Sequence, residues 1–100
     1  MSQDATTERR FKRMAGLNER RVGEKVFVLD DKTQLHTLDN PSAVFLWDTI
    51  PESDAGVITV GRLTQALGGS FDVAEPIAHA DSQAFVEQLL ALSLLVEVRP

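Results

Sequence analysis

The feature that most constrains this chain of 100 residues is a change of period at Asn40-Pro41. Ahead of it, side chains alternate in character. Beyond it, apolar residues recur at helical spacing. Lys25–Asp30 is rich in Val and Phe and reads as a strand, with Val26 and Val28 on one face and Phe27 and Leu29 on the other. Asp30-Asp31-Lys32-Thr33 carries turn chemistry. Gln34–Leu38 reads as the next strand, with Gln34, His36 and Leu38 opposite Leu35 and Thr37. Leu17–Val22 supplies an earlier short strand, and Val22-Gly23-Glu24 can turn. Asn40 then offers an N-cap and Pro41 fills the first helical position. Ala43, Leu46, Trp47 and Ile50 follow at i, i+3, i+4 and i+7, one apolar stripe.

Two more helices follow. Thr59 is an N-cap for a helix whose inward stripe is Val60, Leu63 and Leu67, and Gly68-Gly69 is expected to stop it. Phe71 and Val73 return the next loop to the core. The third helix starts between Glu75 and Asp81 and reaches about Leu94. Phe85, Leu89 and Leu92 form its stripe, Val86 and Leu90 widen it, and from Leu89 onward it is apolar nearly all round. Val96-Glu97-Val98 alternates as a terminal strand would. The fold class is therefore α+β: a three-stranded antiparallel sheet followed by three helices, the content of a winged helix-turn-helix. Apolar residues on both faces of Lys25–Asp30 predict a central, covered strand. Trp47 on the inner stripe anchors the first helix to the sheet. Phe45 points the other way: either residues 11–17 or the 51–58 loop covers it, or it belongs to a docking surface.

The length allows one domain. Residues 1–16 read as a flexible basic segment, frayed over 1–9, and residues 17–100 as the domain. Arg9, Arg10, Lys12, Arg13, Arg20 and Arg21 hold six of the ten Lys and Arg residues. That end is a solvated tail or a docking patch for an acidic partner. The whole chain carries a net charge of −5, which argues against nucleic acid as the main partner. Without cysteine there are no disulfides, no cysteine-ligated zinc and no iron–sulfur cluster. The absence fits a reducing, cytoplasmic setting. No apolar run approaches a bilayer span, so no membrane partner is expected.

Catalytic signatures are missing. There is no Gly-rich phosphate loop and no GxSxG motif, and His36 and His79 lack ligand spacing. Asp30-Asp31 reads as solvating a turn, and Asp81 as serving the start of the third helix. No nucleophile, base and orienter come together. The expectation is a non-enzymatic chain without a cofactor or metal. Binding remains. A three-stranded sheet has two edges. The Gln34–Leu38 strand is short, nearly uncharged and free of proline, so it can accept an extended peptide. The residues equally allow an edge used by a protein partner of an adaptor or regulatory subunit. A winged-helix nucleic-acid module is the weaker alternative: the second helix carries only Arg62 and the third no Lys or Arg at all.

In order and spacing, "VFVLDDKTQLHTLDNPSAVFLW", "ITVGRLTQAL", "SFDV" and "DSQAFVEQLLALSLL" resemble the PqqD-like family, the RiPP recognition elements. The likeness covers residues 17–97, and Asn40 lies seven residues before Trp47, as in the family. Three departures stand out: Asp39 where an apolar residue is usual, a long 51–58 loop, and Ser93 where Gly is common, which suggests a different end to the last helix. The resemblance implies a domain that binds the leader of a ribosomally made precursor peptide and presents it to a separate modifying enzyme, in the PqqD case a radical-SAM enzyme. The leader adds as a strand and lies against the third helix. Carried over by position, the peptide-binding residues are Leu35, His36, Thr37 and Leu38 on the strand and Ala84, Gln88, Ala91 and Leu92 on the helix.

Overall fold

The computed structural model describes residues 9–52 and 56–98. In chain order the elements are β1 (Arg10–Arg13), β2 (Asn18–Val22), β3 (Lys25–Leu29), β4 (Leu35–Leu38), α1 (Pro41–Thr49), β5 (Ile58–Thr59), α2 (Val60–Ser70), α3 (Glu75–Ala91) and β6 (Leu95–Val98). They form an α+β fold with three helices and two antiparallel sheets, ordered β2-β3-β4 and β5-β1-β6.

The first sheet is the expected meander. Asn18↔Leu29 through Val22↔Lys25 pair β2 with β3, and Val26↔Leu38 through Leu29↔Leu35 pair β3 with β4. Residues 30–34 join β3 to β4, and the bond between Asp30 and Gln34 closes residues 31–33 into a three-residue loop. The Asp30 N–H donates to the Gln34 carbonyl and the Thr33 N–H to the Asp30 carbonyl, both at 3.0 Å. Thr33 closes the loop in the left-handed region, φ 63°. Asp30 does more than solvate this turn. It is buried, its Oδ1 accepts from the N–H groups of Lys32 and Gln34 at 2.9 Å each, and its Oδ2 meets His36 Nε2 at 3.0 Å. His36 first, then the backbone donors, hold its carboxyl below the ordinary range. β3 is central but covered on one face only. Val26 and Val28 are fully buried, whereas Phe27 and Leu29 on the other face stay half-exposed.

The second sheet corrects the expectation of a flexible segment over residues 1–16. Residues 1–8 lie outside the described residues, but Arg10–Arg13 is the central strand of that sheet. Phe11↔Ile58 links it to β5, and Arg10↔Val98 through Arg13↔Leu95 link it to β6. The cause is a single side chain. Phe11 is fully buried while Arg10 and Lys12 point to solvent, so a basic run conceals a period of two. Removing a phenyl ring from water contributes about 1.5–3 kcal/mol.

Helix starts follow the sequence. Asn40 Oδ1 accepts from the N–H groups of Ser42 and Ala43 at 2.9 and 3.3 Å, and Thr59 Oγ1 from that of Arg62 at 3.1 Å. Two ends do not follow it. α2 continues through Gly68-Gly69 to Ser70, because both glycines keep helical dihedrals and Phe71 closes on the Leu67 carbonyl at 2.9 Å. α3 stops at Ala91, three residues short of Leu94. There the Leu94 N–H returns to the Leu89 carbonyl at 2.9 Å and the Ser93 N–H to the Leu90 carbonyl at 3.1 Å. Ser93 takes φ 63°, so it forms the left-handed cap that glycine usually provides, and the expected departure in helix ending does not occur. Asp81 lies in the second turn of α3 and caps nothing. The core gathers Phe11, Val26, Val28, Trp47, Leu63, Leu67, Val86, Leu89 and Leu94 into one cluster between the sheets and the helices.

Candidate functional site

The site starts from the outer strand of the first sheet. β4 pairs with β3 alone, so its other edge is open among the described residues. The bond between Asp30 and Gln34 fixes the alternation along the ladder. Val28↔His36 and Val26↔Leu38 are the hydrogen-bonded pairs, and Leu29↔Leu35 and Phe27↔Thr37 are not. Leu35 and Thr37 therefore direct their N–H and C=O groups outward. A short row of unpaired donors and acceptors results, the template that an added strand needs.

Beside this edge lies a groove of about 410 Å³. Thr37 and Leu38 form its strand wall, and Asp39 and Asn40 the junction to α1. Ser42, Ala43 and Leu46 enter from α1. α3 presents Asp81, Ala84, Phe85 and Gln88, spaced i, i+3, i+4 and i+7 on one helical face. Leu38, Leu46 and Phe85 are buried and give an apolar floor, whereas Asp39, Asp81, Ala84 and Gln88 are exposed at the walls.

Trp47 sets the position of the α1 wall from the far side. Its ring is fully buried, its Nε1–H donates to Glu19 Oε1 at 3.0 Å, and the Arg13 guanidinium sits 4.0 Å from the ring centroid. Arg13 Nη2 also donates to the Trp47 carbonyl at 2.7 Å, and Arg21 joins Glu19 to Asp48. Trp47 thus ties α1 to β2 and β1, in keeping with its place on the inner stripe. Phe45 is partly buried, and Phe71, in the loop after α2, meets it edge-on at 5.3 Å and 79°; residues 53–55 of the 51–58 loop lie outside the described residues.

Of the eight residues expected on the peptide path, Thr37, Leu38, Ala84 and Gln88 converge on the groove. The others do not line it. Leu35 is 61% exposed on the outer sheet face, His36 is turned to Asp30, and Ala91 and Leu92 lie exposed at the end of α3, about a turn beyond Gln88. Sequence reasoning missed Asp39, Asn40, Ser42, Ala43, Leu46, Asp81 and Phe85 as groove residues. The spacing of Asp81 and Phe85 relative to Ala84 and Gln88 was the available signal for those two. Among the described residues no three His, Cys, Asp or Glu side chains gather as a metal would require, and no helix is long and apolar enough to cross a membrane.

Comparison with known proteins bears on this arrangement. No curated protein matches the chain. The solved structure of TbiB1 in complex with the TbiA(beta) leader peptide superposes with a TM-score of 0.73 at 17% identity, over 89% of this chain and 99% of that one. At that identity the likeness establishes the fold. Residues 25–95, from the start of β3 to the start of β6, match the family described as coenzyme PQQ synthesis protein D. The chain belongs to the PqqD family.

Proposed function

We propose that this chain captures the leader segment of a ribosomally made precursor peptide by strand addition to β4 and presents it to a separate modifying enzyme. One observation carries the reading: the open β4 edge, with the outward backbone groups of Leu35 and Thr37, borders a groove floored by Leu38, Leu46 and Phe85. Backbone bonds supply affinity there, and the floor selects alternate side chains. Family membership and the leader complex of the TbiB1 fold support it.

The role is binding, without catalysis by this chain. The groove is lined by no histidine, and His36 on β4 is engaged by Asp30. The enzyme is a separate chain acting with this one in the cytoplasm, and a radical-SAM enzyme is the version suggested by the PqqD case. The binding unit runs from β1 to β6, so it begins ahead of residue 17. A nucleic-acid role lacks its basic helix: α2 carries only Arg62, and α3 no Lys or Arg.

The test is a hydrogen–nitrogen NMR titration of the chain with candidate leader peptides encoded beside it. Capture predicts shifts at Leu35–Leu38 and along Asp81–Gln88. Shifts confined to other surfaces, or none with any peptide, would overturn the reading.

A further inference from the structure

The groove is charged in one sense only. Its lining residues include no Lys or Arg, and the segments that supply them, residues 35–50 and 75–91, contain none either. Those segments contain five carboxylates, Asp39, Asp48, Glu75, Asp81 and Glu87, of which Asp39 and Asp81 line the groove. Two of these are neutralised from outside, Asp48 by Arg21 and Glu87 by Arg9. Asp39 and Asp81 have no ion-pair partner among the described residues, are exposed, and line the groove from opposite sides of its apolar floor. A strand laid along β4 would direct alternate side chains to Leu38 and Phe85 and carry its neighbours past these two carboxylates.

Resting on the reading of β4 as a leader-binding edge, we infer that the groove selects a segment with an apolar side chain flanked by Lys or Arg and rejects acidic ones. The chain carries a net charge of −5, so an acidic peptide meets like charge at the groove and in the far field alike. Ion pairs at exposed carboxylates are individually weak, so their combined effect is a preference of roughly tenfold for Lys-flanked over Glu-flanked peptides. That preference is screened by salt, since the Debye length falls to about 8 Å at physiological ionic strength.

A display library of random linear peptides, about twelve residues long, panned on the intact chain tests this even while the natural leader is unidentified. Selected peptides should be enriched in Lys and Arg around an apolar residue. Binding of a Lys-flanked peptide should weaken with added salt more than that of its Gln-flanked counterpart. Replacing both carboxylates, D39N with D81N, should remove the Lys-over-Glu preference, while D39E with D81E retains it. Selected peptides with no charge bias, or an acidic one, overturn the inference and leave leader capture standing. Selection no better than on a T37P variant, whose edge is blocked, overturns both.

Discussion

The two sheets are equal in strand number and opposite in construction. β2-β3-β4 is contiguous in sequence, closed by a tight turn and a short loop, and leaves one edge of β4 open among the described residues. β5-β1-β6 draws its strands from residues 10–13, 58–59 and 95–98, and its central strand is paired on both sides. Distant segments lose more entropy on meeting than neighbours do. What holds the distant sheet is burial: Phe11, Ile58, Leu94 and Leu95 all lie in the core. The local sheet forms with little loop closure and can leave polar backbone groups unused. One sheet therefore secures the fold, and the other keeps an edge unpaired among the described residues, the edge proposed for the peptide.

The largest blow to that division comes from Phe11→Ala. It should cost about 3–5 kcal/mol, read as a lower urea midpoint. A loss below about 1 kcal/mol would mean that the second sheet is dispensable. Next come two neighbouring prolines on β4. His36→Pro removes a ladder donor to β3 and should lower stability by about 2–3 kcal/mol. Thr37→Pro removes a donor that faces outward. It should stay within about 1 kcal/mol of wild type yet abolish peptide binding in an anisotropy titration. Equal melting of the two variants would refute the assigned alternation.

A gain is expected at Ser93→Gly, which relieves a left-handed serine at the entry to β6. Thermal unfolding should show about 1 kcal/mol of added stability. The smallest effect tests the local sheet's hairpin. The Asp30 carboxyl is held low by His36 and by backbone donors, so its contribution is complete above the unfolded carboxyl range and is lost as pH falls through the folded value. Stability of the wild type should drop more steeply below about pH 4 than that of Asp30→Asn. Parallel acid limbs would show that Asp30 does not organise the loop.

The same contrast explains what can be read from the residues alone. Strands β2 to β4 and the starts at Asn40 and Thr59 are legible because their signals are local: alternation, turn residues and caps. The strand at Arg10–Arg13 is not, since one phenylalanine among four basic neighbours discloses no period without its partners. β5 has two residues and exists only through pairing with β1. The glycines of α2 mislead because an interior glycine costs only about 1 kcal/mol, less than the packing of Leu63 and Leu67 returns. At the site, Thr37, Leu38, Ala84 and Gln88 come through the family resemblance. Asp39, Asn40 and Ser42 do not, because they face the groove only once the β4–α1 junction folds beside α3. In the sequence Asn40 signals its cap and its place in the family pattern, not the groove.

The pairing of Arg10 with Val98 has a consequence of another kind. Cross-strand partners sit about 5 Å apart, so the start of β1 and the end of β6 meet at one spot, in the sheet that does not contain β4. A unit with this geometry can be spliced into a surface loop of a larger protein, or joined end to end with a copy, without stretching either connection. The same fold could then serve as a free-standing chain or as an insert within a larger one, and the groove beside β4 would be unaltered by the change of gene architecture.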